Sequence, residues 1–333
     1  MRLKELKYIE PGFSIEGLYF DYVSLTVGKN SVGKSRVVSV IMKLYQLILQ
    51  QYNLKENDFF EYDVTFADKE IDIRYRFVCQ AGEVFMEYLD DSYSHYLDRQ
   101  CGMTTFYGET IYPPKNKLCV SIRRDVEKYH EAEKIVQWAE QINSFCFGQV
   151  NLSSNNSYMG IVSMYEQLNA VHRKNVIKMM HTLGYAIEDI KINEITPTLK
   201  MLFVNEKDVL CALGIDQLST SMQKLLYIAI LLNYAASEAS DIKTLLIDDF
   251  CEGLDYERTL QVGSLIYEFC IKHQIQLIST TNSCFLMNVI NLNYWNILTR
   301  KGGKVNALNM HNSKQMFLDF KDKGLENSKL LFS

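Results

Sequence analysis

One stretch near the N-terminus limits the fold more than any other part of the 333-residue chain. An apolar, β-rich segment over 18–27 runs into Gly28-Lys29-Asn30-Ser31-Val32-Gly33-Lys34-Ser35, and an apolar segment typical of a buried helix follows. This loop matches G-x-x-x-x-G-K-[ST] in full. Its glycines let backbone N–H groups turn inward around phosphate oxygens, and the helix that follows points its positive end at them. The sequence therefore predicts a strand, a phosphate-binding loop and a helix, in that order.

The loop predicts binding of ATP with Mg²⁺. Lys34, which we expect to be a surface charge, would neutralise the β- and γ-phosphates, and the Ser35 hydroxyl would ligate Mg²⁺. The alternative is a glycine turn with a chance lysine, but the flanking strand and helix and a second motif argue against it. The residues predicted to bind the nucleotide in this loop are Gly28, Lys29, Asn30, Ser31, Val32, Gly33, Lys34, Ser35 and Arg36.

The second motif is a pair of carboxylates at the end of an apolar strand. Thr244-Leu245-Leu246-Ile247 leads directly into Asp248 and Asp249. Asp248 would hold Mg²⁺, directly or through water, and Asp249 stands where a second acid polarises the attacking water. Two aspartates capping a turn are the alternative. Glu252 is a further candidate for the base, although a solvated turn residue is the simpler interpretation.

Three further motifs follow in a characteristic order. Leu218-Ser219-Thr220-Ser221-Met222-Gln223-Lys224 looks like a signature motif, Gly253-Leu254-Asp255 looks like a D-loop, and Thr280-Thr281-Asn282-Ser283 occupies a switch position. With the two phosphate-site motifs, Walker A and Walker B, the chain resembles the ABC-type ATPase heads of the RecF, SMC and OLD-like group. That group includes small AAA-type ATP-binding proteins of bacterial defence and mobile-element loci.

The resemblance implies a fold and a division of the chain. The expected fold is an α/β P-loop NTPase of the ABC-type head class, with a mainly parallel sheet flanked by helices, an antiparallel β subdomain and a helical subdomain. One head would span 1–333, with an N-terminal lobe over 1–95, a helical insert over 96–212, and the signature, Walker B and D-loop lobe over 213–333.

The sequence departs from the family pattern at three positions. Ser221 replaces the signature glycine, Asp249 the catalytic glutamate and Asn282 the switch histidine. Aspartate is one methylene shorter than glutamate, and Asn282 could donate a hydrogen bond to the γ-phosphate but could not shuttle a proton, so these departures imply slow hydrolysis. It also implies that Ser219 reaches the γ-phosphate of a second protomer in a homodimer, although a serine there equally caps its helix. Gln80 and Gln100 are the candidates for the Q-loop glutamine.

Periodicity predicts the remaining elements. Residues 60–66 and 71–77 alternate as two antiparallel strands, 84–89 form a third candidate, and stretches near 126–146 and 159–184 have helical patterns. The eight scattered cysteines lack metal-ligand spacing, and no apolar run suits a signal or a membrane span, so we expect a cytoplasmic protein without a membrane partner.

Three functions remain open at this stage. The first is an ATPase that regulates an effector encoded nearby. The second is a DNA-binding ATPase of the RecF type, although the net charge of −5 opposes it. The third is a nucleotide sensor that barely hydrolyses ATP. The DNA hypothesis predicts a basic surface formed by Arg74, Arg76, Arg123, Arg124 and Lys128.

Overall fold

A computed structural model describes residues 1–100, 103–150, 155–196, 199–323 and 325–331. In chain order its strands are β1 (Arg2–Glu10), β2 (Phe13–Tyr19), β3 (Val23–Val27), β4 (Phe59–Asp68), β5 (Ile71–Gln80), β6 (Glu83–Asp90), β7 (His95–Gln100), β8 (Met103–Phe106), β9 (Glu109–Ile111), β10 (Ile142–Cys146), β11 (Ile187–Thr196), β12 (Leu199–Glu206), β13 (Leu213–Gly214), β14 (Thr244–Asp248), β15 (Gln276–Thr280), β16 (Trp295–Lys301) and β17 (Lys304–Leu308). Its helices are α1 (Lys34–Ile48), α2 (Cys119–Ile122), α3 (His130–Glu140), α4 (Asn155–Gln167), α5 (Ala170–Thr182), α6 (Thr220–Ala235), α7 (Tyr256–Lys272), α8 (Cys284–Val289) and α9 (Lys314–Asp322).

Fourteen strands form one large sheet in the order β10-β14-β15-β3-β16-β17-β2-β1-β4-β5-β6-β7-β8-β9. The run from β10 to β16 is parallel. Its central strands β3, β14 and β15 are buried on both faces because helices cover both sides of the sheet. Leu246 and Ile278 pack in one core with α1, whereas Leu245 and Leu277 pack in the other with α6 and α7. The parallel run therefore places the ends of β3, β14 and β15 side by side.

The expectation of a mainly parallel sheet is wrong, because most strand pairs of the large sheet are antiparallel. Strands β4 to β9 form consecutive hairpins, and β1 joins them to the parallel run through β2. Their alternating pattern buries one face, including Tyr62, Val64 and Phe66, in the core that also contains α1. The two strands predicted at 60–66 and 71–77 and the third candidate at 84–89 are confirmed as β4, β5 and β6, and the hairpins continue past residue 95 through β7, β8 and β9.

Two helix predictions need correction. The pattern over 126–146 is helical only in α3, and residues 142–146 form β10, which pairs in parallel with β14 along its whole length. Tertiary pairing with a buried strand overrides the local pattern there. The stretch 159–184 holds two helices, because Asn169 accepts hydrogen bonds from Val171 N and His172 N and so starts α5 anew.

The helices α4, α5 and α6 pack together beside a separate three-stranded sheet of β11, β12 and β13. Among the residues that the structure describes, no helix is long and apolar enough to cross a membrane.

Candidate functional site

The glycine loop joins β3 to α1, as the sequence predicts, and its backbone explains its glycines. Gly33 caps α1 with a φ of 115°, a conformation that side chains rarely adopt. A Cβ on Gly28 would lie 2.7 Å from Val32 Cγ2 and 3.0 Å from the Leu298 carbonyl oxygen. Residue 28 must therefore be glycine for the loop to pass this close to β16.

Lys34 lies under this loop and is only 6% exposed, so the expectation of a surface charge is wrong. Its Nζ donates to the carbonyl oxygens of Gly28 at 2.8 Å and Lys29 at 3.2 Å. Burial lowers the pKa of Lys34, and the carboxylates of Asp249 and Asp248 oppose that shift. The buried ammonium group of Lys34 therefore interacts with the two aspartates, which lie at the carboxyl end of β14.

The switch segment fixes the orientation of both aspartates. Thr280, at the end of β15, donates its hydroxyl proton to Asp248 Oδ1 and accepts a hydrogen bond from Asp249 N at 3.0 Å. Asn282 Nδ2 donates to Asp249 Oδ1 at 3.1 Å. Asn282, expected to donate to a γ-phosphate, thus has Asp249 as its partner in this structure. The predicted switch is a neighbour of the predicted acids because β15 lies between β14 and β3.

The electrostatics of Asp249 suit a base. Burial raises its pKa, the carboxylates of Asp248 and Glu252 raise it further, and Lys34 and the hydrogen bond from Asn282 counter the rise. A carboxylate with a raised pKa holds a proton more tightly, which is what a group that abstracts a proton from water needs.

Glu252 stays a second candidate for the base. It lies in a turn where Asp249, Cys251 and Gly253 have positive φ angles of 50°, 67° and 78°. Its side chain is exposed and passes over residue 148, where a Cβ would lie 3.4 Å from Glu252 Cγ. Its carboxylate is close enough to Asp249 to raise the pKa of that group, and among the described residues no hydrogen bond joins it to Thr280 or Asn282.

The rest of the predicted loop is more open. Ser35 is exposed at the first turn of α1, where its hydroxyl is accessible to a cation. Arg36 points the other way, pairing with Glu10 and lying with its guanidinium 4.4 Å from the centre of the Phe13 ring. The sequence did not single out Arg300 of β16, whose Nη1 donates to Ser31 O at 3.1 Å and so brings a cation to the loop.

The Q-loop candidates lie away from the loop. Gln80 ends β5, which five strands separate from β3 in the sheet order, and Gln100 ends β7, still further along. Gln149 follows β10, three residues after the Cys146 that pairs with Asp248, and its side chain is exposed. The sequence pattern does not indicate this glutamine as a candidate because it predicts a helix over 142–146. A strand prediction there would have indicated that Gln149 follows the carboxyl end of a strand.

The predicted signature segment begins a helix near the acidic turn. Ser219 caps α6, accepting a hydrogen bond from Met222 N at 3.3 Å, so the capping role of this serine is present within one chain. Lys224 is buried, and its Nζ donates to Glu252 O at 3.1 Å. The signature helix is thereby tied to the turn that follows Asp249.

Comparisons with known proteins agree with this architecture. No protein-family model and no curated protein matches the sequence. Similar solved structures include an SMC head bound to the C-winged helix domain of ScpA, with a TM-score of 0.57 and 13% identity, covering 95% of this chain and 99% of that one. The SMC head domain from Thermotoga maritima has a TM-score of 0.52 and 14% identity over 93% and 99%. An SMC head with an extended coiled coil bound to the C-terminal domain of ScpA, derived from Pyrococcus furiosus, has a TM-score of 0.54 and 11% identity over 96% and 99%.

The fold is therefore similar to that of SMC head domains. The narrower likeness to RecF and OLD proteins depends on the sequence motifs alone.

Proposed function

We propose that this chain is an ABC-type ATPase head that binds and hydrolyses ATP with Mg²⁺, closes as a homodimer around the nucleotide, and regulates a partner effector, in bacterial defence as its resemblance suggests. The observation that carries this proposal is that Lys34, under a complete glycine loop after β3, is close enough to interact with Asp248 and Asp249 at the end of β14, a strand that only β15 separates from β3. The similarity of the fold to SMC head domains supports the proposal.

The chemistry of the site fits Mg²⁺. A hydroxyl at Ser35 and a carboxylate at Asp248 are hard oxygen ligands of the kind this cation prefers, and the hydrogen bond from Thr280 fixes the orientation of the carboxylate. Mg²⁺ would neutralise charge on the transferred phosphoryl group. Lys34 would bind the phosphates, and Asp249, with its raised pKa, would take the proton of the attacking water.

Dimerisation and a protein partner are supported less directly. The N-terminus of α6 has Ser219 as its cap and no acidic residue in its first turn, so its positive end is available to an anion. In the proposed dimer that anion is the γ-phosphate held by the other protomer. Two of the similar SMC heads are bound to parts of ScpA, which gives a precedent for a head of this fold that binds another protein.

The DNA-binding alternative receives little support from its five basic residues. Every one of them is paired with a carboxylate: Arg74 with Asp63, Arg76 with Glu61, Arg123 and Lys128 with Glu109, and Arg124 with Glu133 and Glu140. A duplex would have to displace these acids, which reduces the gain from counterion release.

Phosphate release from ATP tests the proposal. The unaltered chain should release phosphate in the presence of Mg²⁺, and Lys34→Ala should not. Arg36→Ala should release phosphate like the unaltered chain and is a control from the same helix turn, because Arg36, although predicted from the sequence to bind the nucleotide, is held by Glu10 and Phe13 in the structure. If all three proteins release phosphate equally, the activity does not depend on this loop. Binding of duplex DNA that weakens steeply with salt would favour the alternative.

A further inference from the structure

A lysine of α6 is buried against the turn that follows Asp249. Lys224 is only 6% exposed. Its Nζ donates to the carbonyl oxygen of Glu252 at 3.1 Å and lies 5.3 Å from the centre of the Phe147 ring. Among the described residues, no carboxylate forms an ion pair with this ammonium group. Because burying a charge without a carboxylate is unfavourable, packing alone does not explain a lysine at this position.

The turn itself has an unfavourable backbone conformation. Asp249, Cys251 and Gly253 have positive φ angles of 50°, 67° and 78°. Two of these residues carry side chains, and a left-handed conformation persists for such residues only where the surrounding structure holds it. Within the turn, Glu252 N donates to Asp249 O at 3.0 Å, which fixes the shape of the turn but not its direction relative to the sheet. Contacts from neighbouring elements must set that direction.

Two neighbouring elements hold the turn, one on each side. From the switch segment after β15, Thr281 Oγ1 donates to Phe250 O at 2.8 Å. From α6, the hydrogen bond that the structure describes is the one between Lys224 Nζ and Glu252 O. A Cβ on Gly253 would lie 3.4 Å from the same Nζ, so the ammonium group lies directly against the backbone of the turn. Lys224 therefore holds the end of the turn that is farther from the sheet.

We propose that Lys224 is a positioning residue for hydrolysis: by binding Glu252 O, it holds the turn in the conformation that presents Asp249 to the attacking water. This inference rests on the proposed function, because it requires Asp249 to act on water. Lys224 acts through the backbone of the turn and not on the reacting atoms. A displacement of a reacting group by on the order of 1 Å can cost about 10²-fold in rate, so loss of this contact should slow hydrolysis while the groups that bind ATP stay in place.

Lys224→Met removes the ammonium group and keeps a flexible side chain that can fill the same space beside an aromatic ring. Single-turnover phosphate release with saturating ATP and Mg²⁺ should be about 10–100-fold slower than in the unaltered chain, whereas the calorimetric affinity for ATP should be unchanged. A merely structural role would lower the melting temperature without separating rate from affinity. Asn233→Leu is the matched control and should keep the parental rate, because buried Asn233 of the same helix donates to Ala229 O and not to the turn.

Amide hydrogen exchange tests the same contact without ATP. In the unaltered chain, the amides of Glu252 and Leu254, which are hydrogen-bonded within the turn, should exchange more slowly than the amide of Val209. Val209 lies in an exposed turn between β12 and β13 and donates to Glu206 O. In Lys224→Met, the amides of residues 252 and 254 should exchange faster, and that of Val209 should be unchanged.

The proposal is overturned if Lys224→Met hydrolyses ATP at the parental rate, if its rate falls only as far as its affinity for ATP, or if residues 252 and 254 exchange no more slowly than Val209 in the unaltered chain. Parental hydrolysis by Lys224→Met would leave the proposed function intact. An unaltered chain that binds no ATP and releases no phosphate would instead refute the proposed function, and the positioning role with it, whatever the exchange rates are.

Discussion

Asp249→Asn should slow phosphate release from ATP by about 10²–10⁴-fold, the range that a positioned general base contributes, while ATP still binds. The structure indicates that this substitution should leave the backbone and the hydrogen bond from Asn282 in place. Residue 249 has a φ of 50°, a left-handed conformation that asparagine tolerates well, and an asparagine Oδ1 can still accept from Asn282. The variant therefore removes the charge and the base while it keeps the backbone.

The pH dependence of the parent adds a second test of the same residue. Because the pKa of Asp249 is raised above its usual 3.8, hydrolysis should fall as the pH drops through this raised value, before an ordinary aspartate would titrate. Raising a carboxyl pKa also means that the folded chain binds the proton more tightly than the unfolded chain, so stability declines as pH rises through that window. Asp249→Asn should thus unfold at a slightly higher temperature than the parent at pH 7, and the difference should vanish in acid.

Single-turnover phosphate release with saturating ATP measures the rate, and thermal unfolding at two pH values measures the stability. Glu252→Gln is the comparison, because among the described residues no hydrogen bond joins Glu252 to Thr280 or Asn282, and its effect on the rate should be less than about 10-fold. The reasoning is refuted if Asp249→Asn turns over at the parental rate while Glu252→Gln collapses, since the base would then be Glu252.

The remaining predictions concern the switch and the signature. Thr280→Val should reduce the free energy of unfolding by about 1–3 kcal/mol in a denaturant titration, because it leaves Asp249 N without its acceptor beside the buried Thr280. Thr299→Val is the control, because Thr299 lies at an exposed strand position, and it should change the free energy of unfolding little. Ser219→Arg should prevent ATP-dependent dimerisation, seen by light scattering in an Asp249→Asn background, yet leave nucleotide binding by the monomer intact; dimers that form alike with and without the arginine would end the trans role of Ser219.

The phosphate loop, the acidic strand and the switch could be predicted from sequence because each combines a local motif with a local element. The G-x-x-x-x-G-K-S loop needs a strand before it and a helix after it, and β3 and α1 provide them. The apolar runs before Asp248 and Thr281 likewise predict strands from the local sequence alone, and these strands are β14 and β15.

The parts that could not be predicted depend on distant pairing. Residues 142–146 have mixed composition, and only the exposed edge of β14 makes them a strand. That strand brings Cys146 next to Asp248, a proximity that the sequence pattern did not indicate. The burial of Lys34 likewise follows from how the loop folds over it, which its own sequence pattern does not reveal.

Calorimetric titration of ATP with Mg²⁺ into the full chain tests the central claim most directly. The unaltered chain should bind one ATP per protomer, and Lys34→Ala should lose this binding, because it removes the one buried cation that faces both aspartates among the described residues of the site. The variant should remain folded, with a free energy of unfolding lowered by about 1–3 kcal/mol, because the carbonyl oxygens of Gly28 and Lys29 lose their donor. Equal affinity for ATP in the folded variant and the parent would contradict the assignment of this loop as the nucleotide site.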